Sequence, residues 1–222
     1  MNKILIISVH PDDETIGCGG TLLKHKDNED EIYWLILTKT NEKLISVPYI
    51  GQIQAQFVKK VSLKYGFKNT THLSFLEIEL DKYPLVEIIQ QVSNYINQIK
   101  PSILYINHYN DVHSDHRVAF DAIYSCTKSF RYPFITKILM YETLSETEFA
   151  PALPYASFTP NVYVDITDYF DQKIEIMKLY ETELMEEPYP RSLGSIEALA
   201  RYRGSRAGVK YAEAFMLLYE KI

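Results

Sequence analysis

His10-Pro11-Asp12-Asp13-Glu14 gathers one imidazole and three carboxylates within five residues. A second run, Asp111-Val112-His113-Ser114-Asp115-His116, adds two imidazoles and two more carboxylates about a hundred positions later. Adjacent carboxylates repel one another unless solvent or a cation relieves them. One His and one Asp from the first run, with one His from the second, would supply three N/O ligands. That is the donor set of an open catalytic zinc site, in which water takes the remaining position. Calcium asks for more oxygen ligands than this, and no EF-hand spacing occurs. Each run also has a plainer reading when taken singly. Asp12-Asp13-Glu14 suits the acidic first turn of a helix, where the dipole favours negative charge, and His113 and His116 suit the surface of a helix start.

The elements that must position these residues alternate along the chain. Ile4 to Val9 is apolar on both faces, as buried parallel strands are. A helix is predicted over Thr15 to His25, a strand over Ile32 to Leu37, and a helix over Tyr49 to Tyr65 that Gly66 stops. A short strand at His72 to Phe75 and a helix over Leu85 to Ile99, ended by Pro101, come next. Then follow a strand at Ile103 to Ile106, a helix at His116 to Lys128 and a strand at Lys137 to Tyr141. Pro151, Pro154 and Pro160 mark an irregular excursion before a strand at Val162 to Asp165. A helix over Tyr169 to Met185 and a last strand at Phe215 to Tyr219 complete the reading. This alternation predicts an α/β fold, a Rossmann-like three-layer sandwich with a mostly parallel sheet and helices on both faces. No composition break divides it, so 1–222 reads as one domain, with 143–222 as a C-terminal cap and closing elements. Both polar runs then fall beyond the carboxyl ends of strands, where such sheets bind ligands. Their joint placement favours the metal reading over the two plainer ones.

Val9-His10-Pro11-Asp12-Asp13-Glu14 resembles the His-Pro-Asp-Asp-Glu signature of the PIG-L/LmbE-like N-acetylglucosamine-conjugate deacetylases. His113-Ser114-Asp115-His116 is similar to that family's second motif, His-Pro-Asp-His, with Ser114 in place of Pro. Gly17, Gly19, Gly20, Arg203-Gly204, Gly208 and Tyr211-Ala212-Glu213-Ala214-Phe215 resemble its other landmarks, in the right order. The resemblance implies that His10, Asp13 and His116 bind Zn²⁺, with Fe²⁺ as the alternative metal. It implies Asp12 as general base, His113 as the protonated partner, and Asp115 as the group that orients His113. The implied reaction removes an acetyl group from an amino-sugar conjugate, releasing acetate and a free amine. On this reading His113 needs a raised pKa, and His116 needs to be neutral.

The glycines after the first strand do not make a dinucleotide loop. Leu22 occupies the third glycine position of G-x-G-x-x-G, and the neighbouring acids would repel a pyrophosphate. They are expected instead to let the first helix approach the sheet closely. The family's Arg and Glu in the helix after the second strand are missing here, where the stretch reads Gln52-Ile53-Gln54-Ala55-Gln56. Lys39, Thr40 and Asn41 are placed to line the cleft, and Arg191, Arg201, Arg203 and Arg206 to grip an anionic carrier. Cys18 is expected to be a buried thiol, and His25, His72 and His108 surface or core residues.

Composition bounds the partners. A net charge of −6 argues against a duplex-binding surface, so no nucleic acid is expected. The longest apolar run, Ile4 to Ile7, is far short of the ~20 residues of a membrane span. Two cysteines cannot build a disulfide framework, and no signal peptide is legible, which points to the cytoplasm. The expected partner is a small N-acetylated sugar conjugate, and a homo-oligomer is compatible with the chain. Two rival readings keep the same residues: a carbohydrate-binding or regulatory module with a structural metal, and a deacylase of a non-sugar amide.

Overall fold

Ile4, Leu5, Ile6 and Ile7 are all fully buried because the strand they form has helices on both sides. In the computed structural model, which describes residues 1–44 and 47–222, that strand is β1 (Lys3–Ser8) at the centre of the sheet. The chain continues through α1 (Asp13–Asp27), β2 (Glu31–Lys39), α2 (Ile50–Tyr65), β3 (Asn69–Leu76) and α3 (Leu85–Ile99). Then come β4 (Ile103–Asn107), α4 (Ser114–Tyr124), β5 (Lys137–Tyr141), β6 (Val162–Asp165), α5 (Phe170–Met177), α6 (Leu193–Ala207) and β7 (Ala212–Glu220). The strands lie in the order β3-β2-β1-β4-β5-β7-β6. β1 to β5 are mutually parallel, and β7 runs antiparallel to both of its neighbours. This is the α/β sandwich expected from the alternation of elements.

The two faces of β1 divide the core. Leu5, Ile7 and Val9 pack with α3 and α4, whereas Ile4 and Ile6 pack with α1, α2 and α5. Each such side chain, fully buried, contributes roughly 1.5–3 kcal/mol of hydrophobic stabilisation. β1 pairs with β2 on one side and β4 on the other, so the chain reverses its winding direction between β1 and β4. A crevice opens at such a switch point, at the carboxyl ends of the two strands.

α1 lies close against the sheet through its glycines. A Cβ on Gly17 would stand 2.8 Å from the Glu142 carbonyl oxygen, and one on Gly20 would stand 2.6 Å from Ile166 Cβ. A buried ion pair fastens the same helix from behind. Lys173 Nζ of α5 donates to the Ile16 carbonyl and to Glu213 Oε1 of β7, both at 2.8 Å. The Glu213 carboxylate in turn accepts the N–H groups of Gly20 and Thr21 at 2.8 Å.

β3 and β7 each begin three residues earlier than expected, and three helices depart further from the sequence expectation. α5 ends at Met177, not Met185, because the chain breaks into short turns that carry the Tyr180 side chain inward to Glu14. α4 ends at Tyr124, not Lys128, where the Ser125 and Thr127 hydroxyls take the Asp121 and Tyr124 carbonyls. α6 falls between Met185 and Phe215, where the sequence predicts no element; Ser192 Oγ caps it by accepting from Ser195 N–H and Gly208 closes it at φ +74°. Its apolar stripe is thin: only Ile196, Ala200 and Gly204 are buried. Among the described residues, no helix is long and apolar enough to cross a membrane.

Breaking the buried Lys173–Glu213 pair tests this anchoring. Lys173→Met leaves Glu213 charged without its partner, a loss of about 3–5 kcal/mol. At ~2–4 °C per kcal/mol for a chain of this size, thermal unfolding should shift down by roughly 10 °C. A shift under about 2 °C by calorimetry would contradict the anchoring role.

Candidate metal centre

The first polar run begins where β1 ends, and its backbone is bent by specific bonds. Asp13 Oδ2 accepts the N–H groups of Val9 and His10 at 2.9 and 2.8 Å, which folds the loop back onto the strand end. Asp12 takes φ 138°, ψ −30°, a conformation that L-residues rarely adopt. Holding it costs about 1–3 kcal/mol and requires surrounding bonds to fix it. Those bonds are present. The Asp12 N–H donates to Glu14 Oε2 at 3.1 Å, and its carbonyl accepts from Thr15 and Ile16, both at 2.9 Å. Glu14 Oε1 is held by the Thr15 and Tyr180 hydroxyls at 2.5 and 2.7 Å. Burial raises the Glu14 carboxyl to a pKa of about 7 against these hydrogen bonds. Asp13 and Glu14 do lie in the first turn of α1, but as buried, individually bonded groups.

The second run leaves β4 and starts α4. His113 is the N-cap, its Nδ1 accepting the Asp115 N–H at 3.1 Å. His116, two residues into the helix from Ser114, is fully buried. Its Nδ1 faces Asp111 Oδ2 at 2.8 Å, and its carbonyl accepts from Asn107 Nδ2 at 2.9 Å.

Across the crevice the runs meet. His10 Nδ1 lies 3.3 Å from His116 Nε2, which lies 3.5 Å from Asp13 Oδ1. These three atoms fall within 4.8 Å of one another. Zinc bonds of about 2.0–2.1 Å in a tetrahedron set ligand–ligand edges of roughly 3.3–3.4 Å. The other atom of each side chain is already engaged. His10 Nε2 meets Asp115 Oδ2 at 3.2 Å, His116 Nδ1 meets Asp111, and Asp13 Oδ2 holds the two backbone N–H groups. One nitrogen, one nitrogen and one oxygen are left facing a common point, and they fit a divalent cation. A second cluster, His10, His113 and Asp115, is also close enough. Its Asp115 oxygens are occupied by His10 and by the N–H groups of Ile78 and Leu80 at 2.6 and 3.1 Å.

The electrostatics correct two sequence expectations. Burial disfavours charge on His116, but Asp13 and Asp111 outweigh it and lift the pKa to about 9. The anions that attract a proton here also attract a metal ion, so neutrality of His116 has to come from the cation. His113 goes the other way. Burial, then His10 and His116, push it down to about 4, with Asp115 and Asp13 opposing more weakly. The expected raised pKa is absent. Since Nδ1 is an acceptor, a neutral His113 carries its proton on Nε2. Nor does the Asp115 carboxylate orient His113: it binds His10, and only the Asp115 backbone N–H touches His113.

A cavity of about 380 Å³ opens over the donor set, walled by Asp12, Gln54, His113, Tyr180, Glu183 and Arg191 among others. Asp12 is buried, and that burial together with Asp13 and Glu183 raises its carboxyl well above the ordinary range, against Arg191. Of the residues expected at the cleft, Thr40 and Gln54 line it, with Gln54 Oε1 accepting the Thr40 N–H. Lys39, Gln52 and Gln56 are exposed, and Asn41 is buried behind the cleft. Arg191 reaches the site, whereas Arg203 is clamped by Glu142, Arg201 by Glu197, and Arg206 is exposed. Cys18 is a buried free thiol. His25 pairs with Asp30, His72 with the Thr38 carbonyl, and His108 is buried 3.4 Å from Asp111 Oδ1. Sequence reasoning missed Asp111 as the partner of His116, and it missed the Glu14–Tyr180 brace. An acid five positions before a ligand His was the available signal for the former; the latter spans 166 positions and had none.

A switch-point crevice whose His-Asp-His atoms could hold a divalent cation, walled by further acids, has the groups that metal-assisted hydrolysis asks for. The family model for GlcNAc-PI de-N-acetylase (PIG-L) matches residues 5–127, more than half of the chain, and the chain belongs to that family. It is 24% identical over 220 residues to the diacetylchitobiose deacetylase of Thermococcus kodakarensis, spanning 96% of this chain and 82% of that protein. The N,N'-diacetylchitobiose deacetylase structure from Pyrococcus horikoshii superposes with a TM-score of 0.77 at 21% identity, covering 98% of this chain and 84% of that one. GalB, the 4-carboxy-2-hydroxymuconate hydratase of Pseudomonas putida, reaches a TM-score of 0.75 at 13% identity, over 100% and 98% of the two chains. The fold alone therefore does not choose the chemistry.

Asp111→Asn and Asp115→Asn each weaken the support of one ligand His. Zinc affinity, measured by competition with a chelator, should drop about 10–100-fold in each, with the circular dichroism spectrum unchanged. Unaltered affinity in both would contradict the assigned donor atoms.

Proposed function

We propose that the chain is a metal-dependent N-deacetylase that hydrolyses the acetamide of an amino-sugar conjugate to acetate and a free amine. The observation that carries this reading is the convergence of His10 Nδ1, Asp13 Oδ1 and His116 Nε2 beside a buried, strained Asp12. His10, Asp13 and His116 would hold the metal, with zinc the reading and ferrous iron the alternative. When bound, such a cation supplies Lewis acidity toward the acetyl carbonyl and toward water.

The chain's own groups supply the rest. Asp12 accepts a proton from the attacking water as the new C–O bond forms, then delivers it to the amide nitrogen as the C–N bond breaks. Burial and acidic neighbours suit Asp12 to holding that proton between the two steps. Arg191 Nη1, 3.4 Å from Asp12 Oδ2, keeps the carboxylate in place. The neutral His113 offers its Nε2–H to the oxyanion of the tetrahedral intermediate, a hydrogen-bond donor in place of the imidazolium that the resemblance implied. Asp115 orients His10, and Asp111 orients His116.

Support for an enzyme over a binding module comes from Asp12. A structural metal would not require a strained backbone and a buried unliganded carboxylate next to its ligands. The relatives named above as deacetylases add to this reading, and the family description favours an amino-sugar amide over a non-sugar one. The whole of 1–222 is proposed to act as one domain, since Tyr180, Glu183 and Arg191 wall the cavity while β6 and β7 complete the sheet. Two buried free cysteines are consistent with a cytoplasmic location.

Asp12→Asn should lower kcat/KM for acetate release from N-acetylglucosamine conjugates by about 10²–10⁴-fold while metal content stays at the wild-type level. No acetate release by wild type from any N-acetylated amino sugar would overturn the assignment.

A further inference from the structure

What is attached to the acetamide must sit against the outer wall of the cavity, and that wall is acidic. Beyond the donor set and Asp12 it carries Glu77, Glu146 and Glu183, with Arg191 the one guanidinium or ammonium group lining it among the described residues. Arg191 is already matched twice, by Asp12 Oδ2 at 3.4 Å and by Glu183 Oε2 at 3.2 Å. Glu77 accepts the Asn41 N–H and Glu146 the Ser145 hydroxyl, so neither is paired with a lysine or arginine, and burial raises both carboxyls. Closer in, Asp13, Asp111 and Asp115 surround the donor set, and their three carboxylates offset the charge of a divalent cation. The other arginines that could grip an anion are engaged by Glu142 and Glu197 or exposed away from the cavity.

We propose that this cavity selects an N-acetylated sugar whose remaining part is uncharged or bears an ammonium group, and that it rejects phosphate and carboxylate carriers. The proposal rests on the deacetylase reading and narrows its substrate class. Like charges brought together in a partly desolvated cleft oppose binding, and discrimination of this kind works by repelling the wrong partner. An ammonium on a neighbouring sugar would face the three glutamates favourably.

The test compares three substrates with the zinc-loaded full chain: methyl N-acetylglucosaminide, N-acetylglucosamine 1-phosphate, and a glucosaminyl-N-acetylglucosamine disaccharide. The phosphate should fall at least about tenfold below the methyl glycoside in kcat/KM, mainly through KM, and the amine-bearing disaccharide should equal or exceed it. Raising salt to about 0.5 M should narrow the gap, and Glu146→Gln and Glu183→Gln should narrow it in low salt. Phosphate used as well as the neutral glycoside overturns the proposal. Calorimetric binding of glucosamine against glucose 1-phosphate separates it from the parent reading. Amine bound more tightly than phosphate, with no turnover of any substrate, upholds the charge rule and defeats the deacetylase assignment. Phosphate bound as tightly as the amine, or binding of neither, overturns the charge rule.

Discussion

Three side chains each have one polar atom tied to protein and one left free, and the rest of the site depends on that division. Asp115 holds His10 through Nε2, Asp111 holds His116 through Nδ1, and the Val9 and His10 N–H groups hold Asp13 through Oδ2. An imidazole or carboxylate fixed in this way has no freedom to turn its second atom elsewhere. The free atoms then stand at separations that a small tetrahedral ion matches. Asp13 and Asp111 also concentrate negative charge around His116, driving it up to about 9 against burial, and the same charge favours a cation. His113, outside this division, is instead depressed to about 4, first by burial and then by His10 and His116, which suits the neutral hydrogen-bond donor proposed above.

The parallel sheet makes that meeting unavoidable. β1 and β4 are neighbours, so chain leaving their carboxyl ends converges on one crevice although the two runs are about a hundred positions apart. The glycines of α1 let the helix start close to the strand end, and the Lys173–Glu213 pair keeps it there. Elements late in the chain finish the work: Tyr180 braces Glu14, and Arg191 reaches Asp12. The strain at Asp12 is sustained by this surrounding frame.

Much of this was legible in the chain because period and punctuation are local. β5 and β6 match their expected bounds, and α2 and α3 stop where Gly66 and Pro101 require. The two motifs contain the three side chains, His10, Asp13 and His116, that the fold brings within 4.8 Å of one another. What escaped were features decided by tertiary contacts. α6 has too narrow an apolar stripe to announce itself, and α5 is cut short by an inward tyrosine. The partners of the histidines were misassigned because sequence proximity pairs Asp115 with His113, whereas the fold aims its carboxylate at His10. Of the arginines expected to grip an anion, Arg203 is taken by Glu142, 61 positions away, whereas the partner of Arg201, Glu197, stands one helical turn before it.

X-ray absorption at the metal edge of the protein purified with its own ion tests the central claim most directly. The account predicts one ion per chain, with two imidazole nitrogens and oxygen donors in the first coordination sphere. It also predicts that His10→Ala or His116→Ala removes one imidazole. A sphere without histidine, or one that both substitutions leave unchanged, would contradict it.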